Sequence, residues 1–566
     1  MADDFYDAVL VDEMSDTTLL NSILGATAVV GTVFLILATL MGEVILDSSN
    51  KASVELKSGD QVSMEFGEPI YMPRHEECID LNNGQDPGYE GFGIGYEPSL
   101  SIDSMGNMQI TAHKDLRWGG EDSPIPIILD PDDPGLWWAC EEGQDTTWDY
   151  WASWFWVSTD NGTTWDHGDQ FEPTPGNMLN SLVGSVTGGG SECLGDEGDI
   201  AVDANDVVYY LDTTLEDNWW HRFTEGGESY EMGQVCQRMN TMAADDRPWV
   251  AAQGDGIIHY LGNSGASPPE CTADSGRYWY YHSEDGGNTF SQCYSMPGGW
   301  STISSQKDGP YVFVAQENAD SDSGHVQVRI SDDFGRGTGP GPSDGTWQEP
   351  VNVGPRTGNC PEGYPVVNNN EAGTVAVVWA DCGSGSLGAW DIQFAISYDN
   401  GTNWEEPWSI APNWGDEGGI LMYPFVSISE SNIVSLSFYG LEYGNEGYSV
   451  GDEWYLYAGA VFEPHSGDYF DWSIADPTPL HTVTAYEQSA GDVHALHDFF
   501  ETVLSPNGEW MGIAYQQNVG EHKFEENEEQ RYIKFVRGEV LSNVPEPNSQ
   551  PISEEMKISP WIATDE

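Results

Sequence analysis

The sequence is short of positive charge. Only 18 Lys+Arg stand against 94 Asp+Glu in 566 residues, a formal net charge of −76. That balance excludes a nucleic-acid partner held through phosphate contacts. Cysteine is sparse as well. There are eight, with no C-x-x-C and no Cys/His cluster at zinc-ligand spacing, so a structural zinc is not expected. Long apolar runs are nearly missing, with a single example near the N-terminus. Aromatics are not scarce: they make up 12% of the chain, with 23 Trp, which excludes a disordered acidic tail. Sixty-five Gly and 32 Pro, scattered without period, mark many turns rather than long helices. The length admits several small domains or one large all-β barrel or propeller. So acidic a surface is best tolerated in saline water, where charges are screened within a few Å to ~10 Å.

The one apolar run spans Leu19 to Met41, 23 residues without a charge. As a helix it would reach about 35 Å, enough for a hydrocarbon core of roughly 30 Å. No Lys or Arg precedes Lys51, so the basic n-region of a signal peptide is missing. The expected layout is an acidic N-terminal tail over 1–18, one uncleaved transmembrane anchor over 19–42, and a linker leading into the main domain over 43–96. A buried globular helix is the competing reading. Charge bias alone weakly favours Lys51 and Lys57 on the cytoplasmic side, but that rule loses force for long translocated domains. The cysteines favour an outside location. Cys271–Cys293 and Cys360–Cys382 share a spacing of 22 and each bracket a β-rich stretch, so both are expected to be disulfides. Sequential pairing is the default for Cys78, Cys140, Cys193 and Cys236, and eight free thiols is the alternative. Disulfides persist in oxidising compartments, which places the domain outside the cell.

Beyond the anchor the chain repeats. Apolar alternating stretches broken by Gly/Asn/Asp turns begin at Glu97, Gly198, Arg247, Asp308, Tyr364, Tyr423 and His497. The pattern is that of β-hairpins. The starts are spaced by 101, 49, 61, 56, 59 and 74 residues, and the last five average about 60, suiting a four-stranded blade with loops. The long first interval holds an insert with Trp137, Trp138, Trp148, Trp151 and Trp154. Seven starts predict seven blades over 97–540, or six if the first or last copy closes a blade with the other end of the chain. A polar C-terminal tail follows over 541–566.

A second motif is more specific. Ser158-Thr-Asp160-Asn-Gly162-Thr-Thr164-Trp165 fits S-x-D-x-G-x-T-W at every fixed position. Ser283 to Phe290, with Asp285 and Gly287, substitutes Phe for Trp; Ser397 to Trp404, with Asp399 and Gly401, substitutes Asn for Thr. Weaker copies lie at Thr224–Tyr230 and Ser331–Gly335. The chemistry is that of a tight hairpin: Asp accepts from turn amides, Gly takes the positive φ, and the aromatic plugs the blade below. These are Asp-boxes, and the chain resembles the sialidase/BNR-repeat β-propeller superfamily from roughly Glu97 to Arg537. The resemblance implies an all-β propeller. It says little about activity, because in that family the boxes lie in outer turns away from the funnel. The box residues Asp160, Gly162, Trp165, Asp285, Gly287, Phe290, Asp399, Gly401 and Trp404 are accordingly structural.

Sialidases of that family hold the substrate carboxylate with three arginines and use a Tyr–Glu nucleophile pair with an Asp acid/base. This chain has 11 Arg and lacks the family's early Arg-Ile-Pro signature. Arg222, Arg238, Arg277 and Arg356 are single arginines that could still converge. So acidic a domain also repels an anionic sugar at long range. The expected function is therefore a membrane-anchored, cell-surface binding module for extracellular glycan or protein ligands, with exo-sialidase-type glycoside hydrolysis as the alternative. In a propeller the residues at each repeat start ring the funnel mouth. That ring comprises Glu97, Asp199, Asp246, Arg247, Asp308, Tyr364, Tyr423, His497 and Asp498, with Arg247 the only cation. Calcium is the one candidate cofactor, at Asp130-Pro-Asp132-Asp133 and Asp320-Ser-Asp322-Ser-Gly324, although neither completes a calcium-loop pattern and a solvated turn explains both. His494 and His497 as metal ligands, and the sequons at Asn161 and Asn400, have equally plain readings as incidental loop and turn residues.

Overall fold

A computed structural model describes residues 58–73, 95–114, 154–167, 197–213, 218–227, 229–230, 237–238, 248–263, 278–291, 294–296, 298–299, 301–317, 324–336, 347–356, 365–381, 391–412, 419–442, 449–485, 496, 500–521 and 529–541. Leu19–Met41, all eight cysteines and the aspartates of both candidate calcium turns lie outside these residues. Among the described residues no helix is long and apolar enough to cross a membrane.

The described chain is all-β, and its strands form six hydrogen-bonded sheets. Each group runs up and down in chain order, as in Gly95–Ile102, Met108–Lys114, Trp154–Ser158 and Asp166–His167. The ten-stranded sheet contains two such runs. Gly419–Ile428, Ile433–Glu442 and Glu453–Phe462 form one; Glu501–Leu504, Trp510–Glu521 and Glu529–Leu541 form the other. Gln61–Phe66 joins them. Its Gln61 and Val62 pair with Val461 and Ala460, and Ser63 to Phe66 pair with Leu541 to Gly538. This strand falls within the 43–96 span expected to be linker. Its alternation of Val62, Met64 and Phe66 is the signal of a half-buried strand.

The first strand of each group is its inner strand. These are Gly95–Ile102, Glu197–Val202, Trp249–Gln253, Ser301–Ser305, Val366–Asn369, Gly419–Ile428 and Glu501–Leu504. Each lies beside the next in this order, and the last returns to the first. That closed ring makes the fold a β-propeller. The core lies between groups. Tyr209, Leu211 and Trp220 pack with Val250, Ile258 and Trp279 of the following group; Leu100, Ile110 and Trp156 pack with Trp510 and Phe535 across the closure. Each fully buried large apolar side chain contributes about 1.5–3 kcal/mol, so the ring is held by its faces rather than by its loops.

The S-x-D-x-G-x-T-W segments are tight turns at the end opposite the inner-strand starts. Asp160 Oδ1 accepts from Thr164 N at 2.8 Å, its Oδ2 from Thr164 Oγ1 at 2.7 Å, and Gly162 N donates to Ser158 Oγ at 2.8 Å. Asp285 repeats the pattern with Thr289, and Asp399 with Asn403. Burial pushes the Asp160 carboxyl up, but the bonds from Thr164 and Ser158 outweigh it and hold the group below its usual range. Gly162 has φ 77°, and a Cβ there would sit 2.5 Å from Met108 Cε of the same group and 2.6 Å from Phe535 of the preceding one. Trp165 meets that Phe535 edge-on at 4.9 Å, and Phe290 meets Trp220 at 5.7 Å. The weaker copies keep the left-handed pair: Glu225 and Gly226 at φ 53° and 70°, Phe334 and Gly335 at 55° and 65°. Replacing Asp160 by Ala removes two acceptors for turn donors, and is expected to cost about 1–3 kcal/mol in urea denaturation.

Candidate functional site

An inner strand has no partner on its channel side, so its amides need other acceptors. Side chains of the neighbouring inner strand supply them. Glu501 Oε2 accepts from Leu100 N at 2.6 Å, Asp199 Oδ2 from Val250 N at 2.6 Å, and Thr302 Oγ1 from Val367 N at 3.0 Å. The backbone turns that follow align the groups, with Asp103 N bonded to Asn107 O, Asp203 N to Val207 O, Asn370 N to Thr374 O, Ser429 N to Ile433 O and Ser505 N to Trp510 O. In that alignment Ser99, Asp199, Thr302 and Glu501 occupy one position. Ser99, Asp199 and Glu501 come from three consecutive strands of the ring.

Asp199 and Glu501 are 5% and 7% exposed. Ser99 Oγ lies 2.6 Å from Asp199 Oδ1 and 3.0 Å from Glu501 Oε2. A hydroxyl has one hydrogen to donate, so the two carboxyls and the serine together need one additional shared proton. Burial pushes the Asp199 carboxyl up to about 6, against the bonds from Ser99, Val250 and Ile200. Burial, with Asp199 beside it, pushes Glu501 well above its usual range too.

Two residues earlier along the inner strands stand Glu97 and Tyr423. Both precede a proline, both are buried, and both are left-handed, at φ 51° and 52°. The register breaks between Tyr96 and Ser99 in one strand and between Met422 and Phe425 in the other. Such backbone costs of order 1–3 kcal/mol at a non-glycine residue and persists only where its surroundings impose it. A network joins the two positions. Tyr423 meets Tyr439 edge-on at 6.1 Å, and Tyr439 stacks on Phe500 at 4.3 Å. Gln516 N donates to Tyr439 Oη at 3.4 Å, and Gln516 Oε1 accepts from Glu97 N at 2.8 Å. Glu97 Oε2 lies 3.3 Å from His113 Nε2, and His113 stacks on Tyr96, over which Arg531 sits at 4.9 Å.

The residues expected at the funnel mouth thus divide. Glu97 and Tyr423 are together at that end. Asp199 is nearby, buried like them, and committed to the neighbouring strand. Asp308 is at the other end, in the turn between Ser301–Ser305 and Val312–Glu317, where its amide donates to Glu371. Its repeat begins earlier, at the polar stretch STISS, whose weak alternation concealed an inner strand. Asp246, Arg247, Tyr364, His497 and Asp498 lie outside the described residues, as do His494 and the Trp-rich insert before Trp154. Glu501 was not singled out in sequence, although it aligns with Asp199. Of the arginines whose side chains are described, Arg222, Arg329 and Arg531 are on third strands, Arg336 and Arg356 are in or beside outer strands and turns, and Arg537 holds Asn161 O of a box turn at 2.8 Å. None is on an inner strand. Among the described residues no group of His, Cys, Asp or Glu has the arrangement of a metal site.

No protein-family model matches the chain, and no curated protein matches it. Solved structures do. A NanB sialidase from Streptococcus pneumoniae is 13% identical, with 79% of this chain and 68% of that one covered and a TM-score of 0.32. An ulvan lyase of polysaccharide lyase family PL25 is 10% identical over 84% and 95%, at 0.39. An α-L-arabinanase from Penicillium chrysogenum, complexed with arabinobiose, is 11% identical over 83% and 98%, at 0.33. Likenesses of this degree carry no argument about chemistry.

Proposed function

We propose that the chain is a membrane-anchored, extracellular propeller of the sialidase/BNR-repeat type that binds a hydroxyl-rich ligand, a glycan or a glycan-bearing protein, at the mouth ringed by the inner-strand starts. One observation carries the reading: Glu97 and Tyr423, at equivalent positions of two groups, share the same costly backbone and are bound into one network. By sequence alignment Arg247-Pro248 and Tyr364-Pro365 stand at the same position of two more groups. A carboxylate, two tyrosines and one arginine at equivalent positions of the repeats suit sugar hydroxyls and ring faces. Seven inner strands closing last on first support seven blades, and the matched bonding at Asp160, Asp285 and Asp399 supports reading those turns as Asp-boxes. Anchor, disulfides and outside location rest on the sequence argument.

A glycan array probed with the purified protein tests the reading. Arg247→Ala is expected to lower binding at least about tenfold, the worth of about 1.4 kcal/mol at a charged hydrogen bond, with an unchanged melting temperature. Asp160→Ala is expected to do the reverse. Arg247→Ala binding as wild type would remove the site assignment.

The second reading, exo-sialidase-type hydrolysis, is favoured by the Asp199–Glu501 pair. Upward-shifted carboxyls are the usual preparation of a general acid. Sharing one hydroxyl sets them closer than the about 6.5–9.5 Å that an inverting pair leaves for its water, so retention is the expected outcome. Turnover of fluorogenic glycosides, lost in Glu501→Gln, would establish it; no turnover alongside array binding leaves the binding module.

A further inference from the structure

Lys307 stands in the turn after Ser301–Ser305, at the box-turn end of the ring. Its backbone is held from both sides. Its carbonyl accepts from Gly254 N at 2.6 Å, and Glu371 accepts from the amides of Lys307, Asp308 and Gly309. The side chain leaves this turn and donates to Ile102 O at 3.3 Å, 205 residues away. Ile102 ends the Gly95–Ile102 strand. In the ring, Ser301–Ser305 is flanked by the strands of Trp249 and Val366, not by that of Gly95. A contact between inner strands that are not neighbours has to cross the space they enclose.

Burial pushes the Lys307 ammonium down, and the carboxylates of Asp206, Asp103, Glu430 and Asp203, near enough to attract it though none is within ion-pair distance, oppose that. Each is tied by backbone elsewhere. Asp103 accepts from Met105 N and Asn107 N, Asp203 from Asn205 N and Val207 N, Asp206 from Ser104 N, and Glu430 from Glu371 N. The acids are therefore held in place by their own turns, and a cation whose field reaches all four is favoured among them.

We propose that Lys307 is an axial pin, the chain's own counter-ion for these four carboxylates, and that it closes the box-turn end of the central channel. Ligands then reach the channel only from the end that holds Glu97 and Tyr423. The pin does not depend on what binds there.

Two measurements test it. In wild-type full-length protein, an amine-reactive reagent read by peptide mass spectrometry is expected to label Lys307 at least about tenfold more slowly in the folded state than in urea, because labelling waits for local opening. Equal rates would overturn the pin. Lys307→Met is expected to melt below wild type at low salt, with a deficit that shrinks as salt screens the carboxylates, and Lys307→Arg is expected to restore the melting temperature. A Lys307→Met protein that melts with wild type at low salt, or a deficit that molar salt leaves unchanged, would overturn the counter-ion role. If the variant folds only in molar salt, its refolding yield across the salt series reads the same dependence.

Discussion

Lys534→Met is expected to destabilise the protein by about 3–5 kcal/mol, read as a fall in the urea midpoint at constant m-value. Lys534 is 2% exposed and its partner Asp476 is fully buried. The ammonium donates to Asp476 Oδ2 and, at 3.1 Å, to Gln517 Oε1, between the rings of Tyr71 and Tyr515 at 4.8 and 5.7 Å. Tyr515 Oη also donates to Asp476, at 2.6 Å, and Thr478 N donates at 2.9 Å. Without the lysine these two donors alone hold a carboxylate sealed from water. The cost is that of a stranded charge, not of the pair itself. The double variant Lys534→Met with Asp476→Leu is therefore expected to recover most of the loss, since a buried ion pair and an apolar pair of similar volume differ little in stability. A double variant as unstable as the single one would show that the network, rather than the charge, carries the stability.

Glu501→Gln is expected to remove much of the protein's loss of stability as pH rises. A carboxyl whose pKa is raised on folding binds more protons folded than unfolded, so stability falls with pH above the unfolded value of about 4, until the folded group has ionised. For Asp199 that window runs to about 6; Glu501 is likewise held well above its ordinary range, by burial first and by the neighbouring Asp199 second, so its contribution has the same sign. Among the described residues the charged group facing Glu501 is Asp199, with Ser99 between them. A glutamine amide reproduces the protonated state. It is uncharged at any pH, and its oxygen, standing where Oε2 stands, accepts from Leu100 N and faces Ser99 Oγ. Urea midpoints from pH 4 to 8 should decline less steeply in Glu501→Gln than in wild type, with the gap opening above about pH 5. Parallel curves would mean that the pair holds no extra proton. Any glycosidase activity would be lost in the same variant.

What could be read from the sequence was whatever repeats locally. Ser158, Asp160 and Gly162 fall within five residues, so their mutual bonds follow from a short turn whose chemistry the motif spells out. The continuous apolar run of strands such as Val375–Asp381, buried along nearly its whole length, likewise reports a neighbour on each face without naming it. Repeat phase was less legible. It was set by turn residues and failed at Asp308, where STISS supplies too little apolar contrast to announce a strand.

Only the tertiary structure could decide the partners. Glu501 and Leu100 are 401 residues apart, Lys307 and Ile102 are 205 apart, and Gln61–Phe66 closes its sheet against Gly538–Leu541. The physical reason is ring closure. Composition and period determine that blades form, but a circle brings together residues that no local pattern relates, and those residues bear the buried charges on which ring stability and any ligand site depend.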